Sequence, residues 1–130
     1  MSIHTISLVG GEDKETATLT CEGNGIDRTC QITFRYRDRV IVERAENYFR
    51  ALCQVRLQLE PEGLVPFCYG ASLDIYPTGM CSDMAAGLVA YRVIPGKGRL
   101  GSGETVRIFD SGPDIIPSTV AKQRMYCRGY

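Results

Sequence analysis

The sequence predicts an α+β fold: a mostly antiparallel sheet with one long helix and a C-terminal helix packed on one face. Three observations predict it. Two early segments alternate apolar and polar residues with period two, a central segment switches to helical spacing, and short apolar runs then lead to a final helical stretch. At 130 residues and 44% hydrophobic composition the chain buries one core and is too short to divide into two, so residues 1–130 form a single globular domain.

The opening run Ile3 to Val9 is a strand closed by Gly10 and Gly11. In the next segment Thr16, Thr18 and Thr20 alternate with Ala17, Leu19 and Cys21. Then Ile32, Phe34 and Tyr36 alternate with Thr33, Arg35 and Arg37. Both segments suit strands buried on one face, and Glu22-Gly23-Asn24-Gly25 between them supplies positive-φ residues for a hairpin. Arg39 to Val42 continues the sheet. From Glu43 to Glu60 the residues Ala45, Tyr48, Leu52, Val55 and Leu59 recur at helical spacing, widened by Phe49 and Cys53. Glu46 and Arg50 stand four apart in the favourable order for an ion pair, and Pro61-Glu62-Gly63 ends the helix. Leu64 to Tyr69 suits a central strand, with Leu88 to Ile94 and Val106 to Phe109 supplying two more. Pro117 fits the first turn of a last helix over residues 118–126, where its missing N–H is harmless.

Fifteen acidic and fifteen basic residues balance, which argues against a protein whose main work is neutralising nucleic-acid phosphates or an anionic membrane. Glu12, Asp13, Glu15 and Glu22 interrupt any signal-peptide run. The longest apolar run, Met84 to Tyr91, falls far short of the roughly 20 residues that span a bilayer. The expectation is a soluble, cytoplasmic protein. Arginine outnumbers lysine, a bias found at protein interfaces and equally produced by the codon composition of a genome.

The six cysteines lack Cys-x-x-Cys spacing and have one histidine, His4, for company, so no tetrahedral metal set is expected. Reduced thiols follow from the intracellular expectation, with a Cys21 to Cys30 bridge as the main exception. Gly96-Lys97-Gly98-Arg99-Leu100-Gly101 spells a dinucleotide fingerprint but runs on towards a strand, not a helix N-terminus, and reads as a cationic hairpin loop. No cofactor is expected.

Chemistry concentrates in the stretch Tyr69 to Met84, where glycines, hydroxyls, tyrosines, a thiol and two carboxylates lie between apolar runs. Cys81 and Ser82 lack a nearby base, so no nucleophilic triad and no catalytic residue is assigned. Asp74 and Asp83 form an acid pair of the kind that divides acid and base roles. The competing reading is structural: Asp side chains in Gly/Ser/Thr-rich loops bond to backbone amides, and Gly70, Pro77 and Gly79 then shape an internal crossover whose buried polar groups Ser72, Thr78 and Asp83 satisfy. Tyr76, backed by Pro77, is the best exposed aromatic anchor.

The segments Tyr48-Phe49-Arg50-Ala51-Leu52-Cys53, Cys68 to Ser72, Tyr76 to Met84 and Phe109-Asp110-Ser111-Gly112-Pro113-Asp114 give the chain a resemblance, across roughly Arg44 to Gln123, to small bacterial proteins encoded beside polymorphic toxins. That resemblance implies an immunity protein that binds and blocks one cognate toxin domain, needing neither metal nor cofactor. The binding residues expected from the loop and the later turn are Tyr76, Asp74, Asp83, Ser72, Asp110 and Asp114. Acidic groups among them suit a nuclease toxin with a basic active site. The alternative is a small hydrolase or nucleotide-processing enzyme using Asp74 and Asp83, assisted by Tyr76 or Cys81. A third reading is a structural subunit, marked by a large exposed apolar patch.

Overall fold

A computed structural model of the protein describes residues 2–11, 15–23, 29–77, 87–93 and 105–128. The fold is α+β, and among the described residues all strand pairings are antiparallel and two α-helices form. Strands β1 (Ser2–Val9), β2 (Thr16–Gly23), β3 (Cys30–Tyr36), β4 (Arg39–Ala45) and β5 (Val65–Pro66) form one sheet in the order β4-β3-β2-β1-β5. Strands β6 (Ile75–Tyr76), β7 (Val89–Arg92) and β8 (Thr105–Arg107) form a second, three-stranded sheet.

Period two puts Ala17, Leu19 and Cys21 of β2 and Ile32, Phe34 and Tyr36 of β3 on the buried face, as the alternation demands. Leu19 pairs with Phe34 and Phe34 with Ile41, so one register row runs apolar across three strands. The opposite face carries Thr18, Thr20, Thr33 and Arg35. Gly10, at φ 94°, turns the chain out of β1 so closely against Gly63 that a Cβ there would sit 2.0 Å from the Gly63 carbonyl oxygen. The glycines expected to turn the β2–β3 hairpin lie outside the described residues.

Helix α1 (Tyr48–Leu59) begins five residues later than its periodicity suggests. The segment from Glu43 to Ala45 instead pairs with Ile32, Gln31 and Cys30 of β3, because extending an existing ladder satisfies its backbone while Asn47 supplies a real helix start. The Asn47 side-chain oxygen accepts from the Arg50 N–H at 2.8 Å. The Glu46–Arg50 pair forms at 3.0 Å and straddles this cap. At the other end a 3-10 turn (Glu60–Glu62) containing Pro61 closes on Gly63 in the left-handed conformation. Glu62 accepts from the Tyr36 hydroxyl at 2.6 Å and pairs with Arg39 at 3.1 Å, fastening this turn to the β3–β4 hairpin.

The central strand expected over Leu64 to Tyr69 is a correction. Only Val65–Pro66 pairs, and it does so at the sheet edge beside β1. Pro66 lacks the N–H that a residue of an interior strand donates to a neighbouring strand, which confines it to an edge. Tyr69–Ala71 then forms a second 3-10 turn. Pro117 is likewise outside the last helix: it bridges Ser72, and helix α2 (Val120–Arg128) starts after Thr119. Its first N–H donates to Glu60 Oε2 at 2.8 Å, a carboxylate where the helix dipole favours one. The core joins both sheets to α1 through Leu19, Phe34, Leu52, Val55, Ile75 and Ile108, all 0% exposed.

Candidate functional site

The chain from Cys68 to Tyr76 is stitched to the segment 108–118 by backbone hydrogen bonds. The Tyr69 N–H donates to Asp110 O, Gly70 to Ile108 O, and Leu73 to Ile116 O, at 2.9, 2.9 and 2.8 Å. The Ser118 N–H returns to Ala71 O at 3.1 Å. Two of the segments singled out in the sequence are therefore one structural unit, whose side chains fall into three groups.

The first is an ion-pair cluster. Arg92 on β7 forks between two carboxylates, with NH1 2.7 Å from Asp74 Oδ2 and NH2 2.6 Å from Asp114 Oδ2. Asp74 Oδ1 accepts from the Ser72 hydroxyl at 2.8 Å, and Asp114 Oδ1 accepts from the Tyr69 hydroxyl at 2.7 Å. Ser72 Oγ also accepts the Ile116 N–H at 3.0 Å. The phenol of Tyr69, joined by the Arg92 guanidinium, holds the Asp114 carboxyl below its usual range. A Cβ on Gly112 would meet the Tyr69 hydroxyl at 2.0 Å, so only glycine leaves room for this contact. Ser72 is 0% exposed, which corrects its expected place on a binding surface: it ties the crossover together. Asp74 has both oxygens engaged and is largely covered, leaving Asp114 as the exposed acid of the cluster.

The second group surrounds Tyr76. Its ring stands edge-on to Phe49 with centroids 5.2 Å apart, and β6 pairs it with Tyr91. Half-buried, it borders an open groove of about 290 Å³ between α1 and α2, floored by Phe49 and Cys53 and flanked by Leu57, Arg50 and Arg124. Burial pushes the Cys53 thiol up, against the opposing pull of Arg56, Arg124 and Arg50.

Asp110, another expected acid, is exposed beside a hollow of about 80 Å³ that it shares with Ser2, His4, Arg107 and Phe109. The His4 ring lies 5.2 Å from that of Phe109, and its Nε2 is 3.3 Å from Ser2 Oγ. Asp83, Cys81 and the Gly96 to Gly101 loop lie outside the described residues. The structure thus joins Ser72, Asp74 and Asp114, sets Tyr76 in a groove and leaves Asp110 elsewhere.

The sequence reading missed Arg56 and Gln123. Arg56 is 2% exposed and has no carboxylate within ion-pair distance among the described residues. Its NH1 donates to Gly70 O at 3.0 Å and Gln123 Oε1 at 2.6 Å, and its NH2 to Ser118 O at 2.9 Å. Gln123 Nε2 donates to the Gly70, Ser72 and Ile75 carbonyls at 3.0, 2.8 and 2.7 Å. Carbonyl dipoles thus take the place of a counterion, and burial lowers the Arg56 pKa. The signal was present: Arg56 falls with Leu52, Val55 and Leu59 on one stripe of α1, where a charge needs internal partners.

Among the described residues no three His, Cys, Asp or Glu side chains gather to hold a metal ion, and no helix is long and apolar enough to cross a membrane. The five described cysteines are free thiols, and Cys21 stands opposite Ile32 while Cys30 stands opposite Gly23, so the two are not direct cross-strand partners. Compared with protein-family models and with curated proteins, the chain finds no match.

Proposed function

We propose that this chain is a binding module that works as an immunity protein, occupying one bacterial toxin domain and so neutralising it. The observation that carries the reading is the Tyr76 ring, braced edge-on by Phe49 at the border of an open groove. A half-buried aromatic, held by a packed neighbour with one face open, is the form that interface anchors take. The state of Asp74 supports binding over catalysis, since a general base must reach substrate and the largely covered Asp74 carboxylate is already held by Ser72 and Arg92. That weighs against the hydrolase alternative, which uses Asp74.

Affinity capture with the tagged protein from lysate of its own source, read by mass spectrometry, tests the reading. A toxin domain retained at one-to-one ratio is the expected result. Capture of nothing from a lysate shown to contain such a toxin would overturn it. With the partner in hand, Tyr76→Ala is expected to weaken binding by about 2 kcal/mol in a folded protein. Unchanged affinity, measured by calorimetry, would remove Tyr76 from the interface.

A further inference from the structure

We propose that the groove between α1 and α2 takes an acidic segment of the partner protein, with a large apolar side chain seated on Phe49 and Tyr76 and carboxylates reaching Arg50 and Arg124. This rests on the binding reading above and deepens it, because it reverses the charge expected of the partner.

The apolar half of the argument is the lining. Phe49 is 3% exposed and forms a fixed floor, Tyr76 is half-buried beside it, and Leu57 projects from α1 at 52% exposure. About 290 Å³ lies between them, open to solvent along the helices. That is the shape into which a chain segment lays one apolar side chain, and it is too open to enclose a small molecule.

The electrostatic half is the placement of three guanidiniums. Arg50 on α1 and Arg124 on α2 flank the groove from facing helices, and Arg56 lies behind its floor with carbonyls for partners. All three act on the Cys53 thiol at the floor, so their fields converge where the ligand would sit. Among the described residues Arg124 forms no ion pair and Arg50 pairs only with Glu46. In that pair the side chains are 65% and 71% exposed, so it is weak and readily exchanged for a partner's carboxylate. Of the acids expected to meet a basic toxin, Asp74 and Asp114 are instead held by Arg92. Nucleic acid fits less well, since the charge flanks an apolar floor and the chain as a whole is neutral.

The test uses the full chain and two fluorescein-labelled peptides: a leucine-phenylalanine core flanked on each side by glutamates, and the same core flanked by lysines. Anisotropy should show the glutamate peptide binding at least about tenfold more tightly than the lysine peptide, with R50E/R124E inverting that order. R50Q/R124Q, which abolishes the charge without reversing it, should erase the preference, and guards against a folding defect in the charge reversal. Equal binding of both peptides, binding of neither, or a preference surviving in R50Q/R124Q would overturn the proposal. Lysate capture separates the two readings. A toxin domain retained equally by the wild type and R50Q/R124Q keeps the immunity reading and removes the groove from it. A charge-dependent peptide preference with no toxin captured keeps the ligand chemistry and removes the immunity reading.

Discussion

Truncating Arg56 to alanine removes three donated hydrogen bonds from the interior at once. Gly70 O keeps a second donor in Gln123, but Ser118 O and Gln123 Oε1 lose the one that reaches them from α1. Each acceptor left unpaired in the core costs about 1–3 kcal/mol, so urea denaturation should place Arg56→Ala well below the wild type. Because Gln123→Leu breaks the same network, Arg56→Ala/Gln123→Leu should be less destabilised than the sum of the single variants. Additive losses would show that the two side chains act separately. Asp114 gives a different kind of test. Its folded pKa is depressed, so its contribution to stability is present above the unfolded carboxylate value and is lost as pH falls through the lower folded value. Tyr69→Phe removes the leading cause and should raise the Asp114 pKa, measured by NMR titration, back towards the ordinary range. No movement would assign the depression to Arg92. The stripe marked Arg56 as a charge needing internal partners, but not which ones: its bonds to Ser118 and Gln123 span 62 and 67 residues and those of Arg92 to Asp74 and Asp114 span 18 and 22, beyond any local pattern.

Helix α1 illustrates what a periodic pattern resolves and what it leaves open. The apolar stripe identified the helix and its buried face correctly, since Tyr48, Leu52, Val55 and Leu59 are all buried. Its start was misplaced because Ala45 satisfies a helical spacing and a strand register equally well. Asn47 resolves the ambiguity through its side-chain cap on the Arg50 N–H. Asn47→Ala should cost about 1 kcal/mol in thermal or urea unfolding, while Asn47→Asp keeps an acceptor and should cost less. Equal losses would mean that Asn47 matters for packing, for which there is a contact: a Cβ on Gly87, at φ 78°, would stand 2.9 Å from the Asn47 side-chain oxygen. The 3-10 turn after α1 works at a second site as well, because Glu60 at its start caps α2. Thus one short connection orders both helices that border the groove.

Across the whole molecule, buried thiols report how cooperatively the fold closes. Cys21, Cys30, Cys68 and Cys127 are buried, and Cys53 alone among the described cysteines is half-exposed, in the groove. Burial raises Cys21 and Cys68 to about 11, and burial with the Asp74 charge raises Cys127 to about 12. Among the described thiols, iodoacetamide at mildly alkaline pH should therefore modify Cys53 before Cys21, Cys30, Cys68 and Cys127, which should react only on unfolding, as read by peptide mass mapping. Early labelling of Cys21 or Cys30 would mean that the β2–β3 hairpin opens locally. By itself the sequence determined the α+β class, the alternation of β2 and β3, the buried face of α1 and its stop at Pro61 and Gly63, because each rests on residues within one turn or one strand of each other. It also marked the stretch after Cys68 as the richest in polar chemistry. Only the tertiary structure decided that Cys68 to Tyr76 is a crossover knitted to residues 108–118, that Asp74 and Asp114 share Arg92, and that Tyr76 borders a groove with two arginines. Those pairings join residues far apart in the chain, and which polar groups stay free for a partner depends on which ones the fold has already used.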